Sequence, residues 1–319
     1  MSDKKVLQVG AFMIGLAILL RLTAGVWAPV IQTGEPIQAE QVFLFLQTGR
    51  VVPLPTVSEV TQEMPLTQAA PPAAMAVFSQ SDQELIQLRN TSDKAADISA
   101  ALLENLQWDL YTQRPSVLIL HSHGSESYEN TGEYAETSAY RTLNTDYNMI
   151  CIGDHLAQKL EQSGIRAIHD RTMYDVPSYN DAYVNARSAI EKHLEANPSI
   201  CLVLDLHRDA AATDSGQIRY AVDTQKGTAA QLMLVLGTNH EGWQDNLSFA
   251  TKLHVQLEKQ APGICRPISV RAQRYNQDLC PAAVLVEVGA AGNSRQEALL
   301  GAEYLASAII SLAAGAHSS

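Results

Sequence analysis

Ile200-Cys-Leu-Val-Leu-Asp-Leu206 is an apolar run of strand length, and it leads without a break into His207-Arg208-Asp209. A run this short and this apolar reads as a strand buried on both faces, the kind found inside a parallel sheet. Two other stretches share the design. Val117-Leu-Ile-Leu120 runs into His121-Ser-His123-Gly-Ser-Glu126-Ser-Tyr128, and Ala283-Val-Leu-Val-Glu287-Val288 runs into Gly289-Ala-Ala-Gly292-Asn293. Each ends in or carries His or carboxylate. If the three strands are parallel neighbours, the three polar clusters meet on one edge of the sheet, where such folds place their sites.

The segments between them support that reading. Asp146 to Leu160 has helical periodicity and stops before Ser163-Gly164. Ile165 to Ile168 reads as a strand, and Asn180 to Leu194 as a helix ended by Asn197-Pro198. Leu232 to Leu236 is a further strand, Gln244 to Leu257 a helix, and Arg295 to Leu312 a closing helix. Strands alternating with helices give an α/β fold: a mostly parallel sheet flanked by helices in three layers.

Upstream the composition changes. Lys4 and Lys5 precede an apolar stretch that runs to Ile31, interrupted at Arg21. Positive charge ahead of an apolar run predicts a transmembrane anchor or signal segment over 1–31, with the rest of the chain outside the cytoplasm. Residues 32–80 are rich in Pro, Gln, Thr and Ala and predict an extended tether, with Gln41–Leu46 apolar enough for a short strand or contact. Residues 81–112 predict a lead-in helix from Ile98-x-x-x-Leu102-Leu103-x-x-Leu106. Residues 113–319 are then the catalytic domain.

The net charge of −12 argues against nucleic acid, whose phosphates need clustered Lys and Arg. No G-x-G-x-x-G, Walker or G-x-S-x-G pattern appears, which speaks against a nucleotide cofactor and a serine nucleophile. None of the four cysteines has C-x-x-C spacing. Cys151 and Cys201 read as core residues, and Cys265 and Cys280 could pair in an oxidising compartment.

A catalytic zinc takes three His or carboxylate ligands and keeps one position open. His123 and Glu126 form H-x-x-E on one loop, and His207 arrives from another strand. Glu287, a carboxylate in an otherwise apolar strand, suits a general base. Arg208 is a candidate oxyanion stabiliser or carboxylate clamp. Tyr128, Asn180 and Asn276 are candidate substrate contacts. Each also has a structural reading: H-x-x-E as a surface pair, Asp205 and Glu287 as satisfied buried carboxylates, Arg208 as an ion-pair partner, the last three as turn residues, and His121 as a strand cap.

Leu118-Ile-Leu-His-Ser-His-Gly-Ser-Glu-Ser-Tyr128 resembles the first signature of the stage II sporulation protein P family. Further matches follow in order: Asn148-x-x-x-x-Gly153-x-x-Leu156, Gly164-Ile165 leading to His169-Asp170, and Tyr179-Asn180-x-Ala182-Tyr183. Asp205-Leu-His-Arg-Asp209, Gly237-Thr-Asn239, Tyr275-Asn-Gln-Asp-Leu279 and Glu287-Val-Gly-x-x-x-Asn293 complete the set. The resemblance covers about Leu85 to the C-terminus. It implies a zinc amidase-like fold and a Zn2+-dependent N-acetylmuramoyl-L-alanine amidase, with endopeptidase activity alongside, acting on peptidoglycan during engulfment. It also implies partnership with stage II sporulation proteins D and M at the cell membrane. His123, His207 and Glu287 match the family's essential residues. The wider zinc amidases take their carboxylate ligand at a position comparable to Asn144, which cannot serve, so that role falls to Glu126. His121 stays open as an alternative to His123.

Overall fold

The computed structural model describes residues 78–316, apart from positions 107, 139 and 215. The expected anchor, residues 32–77 of the tether, and the strand expected at Gln41–Leu46 lie outside the described residues. The chain divides into two units after Gln68, and the described residues belong to the second.

This unit starts with a 3₁₀ turn at Gln80–Leu85, strand β1 (Leu88–Asn90) and a short helix α1 (Ile98–Leu103). Strand β2 (Val117–Leu120), helix α2 (Met149–Gln162), strand β3 (Ala167–His169) and helix α3 (Ala182–Ala196) follow. Then come β4 (Leu202–Asp209) and two small hairpins, β5 (Ala212–Thr213) with β6 (Gly216–Gln217), and β7 (Ala221–Thr224) with β8 (Gly227–Ala230). Strand β9 (Leu232–Gly237), helix α4 (Trp243–Gln260), β10 (Ile268–Arg271), β11 (Ala283–Ala290) and helix α5 (Arg295–Ala316) complete it.

Seven strands form one sheet in the order β1-β10-β9-β11-β4-β2-β3. Every neighbouring pair is parallel except β9 with β11. The three strands singled out from the sequence, β2, β4 and β11, are parallel neighbours as expected. The exception has a local cause. No helix connects β4 to β9; the chain makes two hairpins instead, so β9 starts from the edge where β4 ends and runs back.

Side-chain alternation along the strands sorts core from site. Leu202, Leu204 and Leu206 of β4 and Val284, Val286 and Val288 of β11 join the main core with α2, α4 and α5. Val203 and Ala283 point the other way, onto Ala186 and Ile190 of α3. Asp205, His207 and Glu287 continue that second alternation. They therefore lie on the sheet face that α3 covers, near the carboxyl ends of β4 and β11.

Helix α5 is long and apolar enough to cross a membrane by length and composition, but 61% of its most apolar window is buried inside this domain. Its Ala298, Ala302, Leu305 and Ile309 are core residues. The lead-in segment differs from expectation. It is not one helix but a turn, an edge strand and six residues of helix, because Leu88–Asn90 pairs with β10. The Cys265–Cys280 pairing is not formed, and all four cysteines are free.

Candidate metal centre

Strand β2 ends at Leu120, and the next turn places His123 and Glu126 beneath the end of β4. Both are buried, at 7% and 4% exposure, as is His207 at 3%. One donor atom from each of the three lies within 4.8 Å of the others. Glu126 sits between the two imidazoles. Its Oε1 is 4.0 Å from His123 Nδ1 and its Oε2 is 3.5 Å from His207 Nδ1. The three residues expected from the sequence as metal ligands are thus brought together.

Neighbouring groups fix this trio. Asp205 Oδ1 lies 2.9 Å from His207 Nε2, but the contact is not aligned as a hydrogen bond and that nitrogen has no other partner. Asp205 is held in turn by the Ser122 backbone amide at 2.8 Å and the Ser122 hydroxyl at 2.6 Å. Carboxylates behind imidazoles orient metal-ligating histidines in this way.

Arg208 departs from the expected role. Its guanidinium donates to the carbonyls of Ser127 and Tyr140, at 3.0 and 2.9 Å, and to Glu126 Oε1 at 3.5 Å. At 5% exposure it is spent on holding Glu126 and the loop around it. A substrate carboxylate has no free face of it to bind.

Glu287 pairs in register with His207 across β11 and β4. The residue is half-buried, but its Oε2 is shielded from solvent and has no hydrogen-bond partner. Burial pushes its carboxyl up to about 8; His207 opposes this, while Glu126 and Asp209 add to it. The other groups go the opposite way. Burial works against the charged form of Glu126, yet His207 and Arg208 outweigh it and hold the carboxyl below its usual range. Burial also works against a charged His207, but Asp205 and Glu126 on either side keep it well above the ordinary imidazole value. Burial and His207 together lower His123. A carboxyl raised toward the working range of a general base, beside another that is firmly ionised, is the division of labour expected of an acid–base site.

His121 does not join the trio. It points through to the main-core side, where Nδ1 donates to the Leu206 carbonyl at 3.0 Å and Nε2 meets His169 Nε2 at 2.8 Å. Tyr128 is also no substrate contact: it is 1% exposed and its hydroxyl donates to the Val288 carbonyl at 2.9 Å. Asn276 is buried and holds the Tyr183 carbonyl at 2.8 Å. Asn180 is exposed.

Several residues at the mouth have contacts to the trio that the sequence does not assign. Tyr179 stacks on His123 with ring centroids 4.2 Å apart, and Arg141 lies over the Tyr179 ring at 4.3 Å. Arg141 also reaches Glu126 at 3.6 Å and Asp175 at 3.3 Å. Tyr183, from the first turn of α3, stacks over His207 at 6.2 Å. Tyr179 and Tyr183 sit in a motif visible in the sequence; Arg141 and Asp175 come from irregular loops, where neither periodicity nor spacing marks them.

The donor set tests whether a metal fits. Two imidazoles and a carboxylate, buried together beside the orphaned oxygen of Glu287, form the kind of N/O set that zinc accepts.

A family model described as Stage II sporulation protein P (SpoIIP) matches residues 48–310. This chain belongs to the stage II sporulation protein P family. Stage II sporulation protein P of Bacillus subtilis (strain 168) is 29% identical to it over 195 residues. Those residues are 57% of this chain and 47% of the relative, so the matched part spans about half the length of that protein. Among solved structures, the N-acetylmuramoyl-L-alanine amidase AmiC2 of Nostoc punctiforme is similar at a TM-score of 0.39 and 16% identity, over 61% of this chain and 94% of that one. The CwlD amidase of Clostridioides difficile, in complex with the GerS lipoprotein, is similar at 0.40 and 15%, over the same shares. The stage II sporulation protein P motifs now have physical roles. Gly153 of the Asn148-x-x-x-x-Gly153 motif leaves room for the imidazole pair: a Cβ there would collide with Nε2 of His169 and Nε2 of His121.

Proposed function

We propose that this chain is a zinc-dependent peptidoglycan hydrolase that cleaves the amide bond between N-acetylmuramic acid and L-alanine. The observation that carries the reading is the buried His123–Glu126–His207 trio with the unpartnered carboxyl of Glu287 in register beside it.

His123, Glu126 and His207 would hold the ion. When bound, a zinc ion supplies Lewis acidity toward an amide carbonyl and acidifies water. Glu287 Oε2 accepts a proton from the attacking water and returns it to the departing amine. Asp205 keeps the His207 ring in place, and Arg208 keeps Glu126 aimed into the site. Tyr179 and Arg141 form the mouth, where an aromatic face and a guanidinium suit a sugar and an acidic peptide.

Residues 81–112 and 113–319 act together as the catalytic domain, residues 32–80 as its tether and residues 1–31 as a single-pass membrane anchor. The catalytic domain works outside the cytoplasm, during engulfment, with stage II sporulation proteins D and M as partners. Stem-peptide endopeptidase activity is part of the same proposal. A zinc carboxypeptidase is less well supported, because Arg208, the clamp expected for its terminal carboxylate, is committed to Glu126 and two backbone carbonyls.

The products decide. Purified peptidoglycan incubated with the full chain and Zn2+ should release stem peptides that begin with free L-alanine. Release of single C-terminal amino acids instead would make the protein a carboxypeptidase. Binding without release of either would make it a scaffold.

A further inference from the structure

A second set of metal-ligating side chains comes together on α4, and it shares no residue with the trio. His254 and Glu258 lie one helical turn apart, and Cys265 follows on the loop that enters β10. A ring nitrogen of His254, a carboxylate oxygen of Glu258 and Cys265 Sγ lie within 4.8 Å of one another.

Backbone contacts fix the loop and helix that carry these groups. Glu258 Oε2 accepts from the Gly263 amide at 2.9 Å and Oε1 from the Cys265 amide at 2.8 Å, which clamps the loop over the helix. On either side of Cys265 the loop is fixed to β9: Leu232 donates to the Ile264 carbonyl and Arg266 donates to the Leu232 carbonyl, both at 2.8 Å. His254 is 1% exposed and is hydrogen-bonded to the Leu85 backbone, yet its Nδ1 has no partner. A buried ring nitrogen left unpaired costs stability unless something unseen satisfies it. An imidazole tied to a backbone group through the ring and otherwise free is the usual preparation of a metal-ligating histidine.

We propose that His254, Glu258 and Cys265 form a second metal site, which takes a borderline-soft divalent cation of the zinc class. The sulfur donor is what selects it: Mg2+ and Ca2+ prefer all-oxygen sets, whereas thiolate with imidazole suits zinc. On binding, the Cys265 Sγ–H bond gives its proton to solvent as the Sγ–metal bond forms. The Glu258 carboxylate contributes a lone pair while keeping its two backbone donors. Glu258 and Cys265 are half-buried, which leaves a path for the ion and a position for water. The site is structural: it locks the end of α4 to the loop that enters β10, and adds stability by mass action.

Cobalt distinguishes the two sites, because only this one has a sulfur. Full-chain protein stripped by chelation and titrated with Co2+ should bind two equivalents and develop a near-ultraviolet sulfur-to-cobalt charge-transfer band. In Cys265→Ser the band should vanish and one equivalent remain; in His123→Asn the band should persist. The proposal therefore stands or falls apart from the hydrolase reading. Absence of a thiolate band at every stoichiometry, or an equal band in Cys265→Ser, would overturn it. Wild-type protein gives a second readout that needs no variant. Zn2+ should slow alkylation of Cys265 at least tenfold in peptide mapping, and an unchanged rate would also overturn it.

Discussion

Arg208 and Glu287 divide the work at the level of single residues. Arg208 looks from the sequence like a group for substrate, but its guanidinium is committed to Glu126 and to the carbonyls of Ser127 and Tyr140. Arg208→Met would leave those acceptors unpaired inside the protein. We expect metal affinity at the trio to fall by about 10–100-fold, as for other lost supporting contacts, measured by competition with a chelating dye. An unchanged affinity together with a raised KM would instead make Arg208 a substrate clamp. Gly153 is the second case. A glycine inside α2 sacrifices about 1 kcal/mol of helix propensity relative to alanine. It does so because a side chain would collide with His121 and His169. Gly153→Ala should therefore destabilise rather than stabilise, by about 1–3 kcal/mol as overpacking does, seen as a lower denaturation midpoint.

Connections between elements depend on buried polar groups that neither helix nor strand patterning reveals. Asn293, in the turn from β11 to α5, is fully buried and accepts from the Ala290 and Tyr220 amides at 2.9 and 3.0 Å. It donates to the Tyr220 carbonyl and to Glu297 Oε2, both at 2.8 Å. Gly289, at φ +67°, passes so close to Asn293 that a Cβ would meet its Oδ1 at 2.6 Å. The Glu287-Val-Gly-x-x-x-Asn293 motif thus combines one chemical residue with two that shape the turn. Asn293→Ala should cost about 3 kcal/mol, since several buried groups lose their partners at once, read from urea unfolding. Between β2 and α2, His121 sets a pH window. Burial and the neighbouring His169 push its pKa down to about 3, whereas an unfolded imidazole titrates near 6.5. The unfolded chain therefore takes up a proton that the folded chain refuses. The contribution of His121 is fully present above about pH 6.5 and falls by up to about 1.4 kcal/mol per pH unit below it, until the pH nears the folded value. His121→Gln should flatten that slope in thermal melts between pH 4 and 7, and an unaltered slope would contradict this account.

The whole molecule was partly legible in its sequence. β2, β4 and β11 are buried on both faces, so they appear as unbroken apolar runs, and their shared polar ends place His123, Glu126, His207 and Glu287 on one edge. β1 and β10 escape notice because they are three and four residues long and, as Leu-Arg-Asn and Ile-Ser-Val-Arg, carry no unbroken apolar run. The reversed direction of β9 is hidden because it depends on two hairpins of two- and four-residue strands. Arg141 and Asp175 are hidden for another reason. Loops far apart in the chain bring them together beside Glu126, and only the folded chain shows it. The central claim is that the trio holds an ion and Glu287 moves the proton. Bound metal and muropeptide release, measured side by side on the full chain, test it most directly. His123→Asn should lose one metal equivalent relative to wild type and all hydrolysis, while Glu287→Gln should keep the wild-type metal content and lose hydrolysis by about 10²-fold or more. Hydrolysis at the wild-type rate in Glu287→Gln, or undiminished metal in His123→Asn, would contradict it.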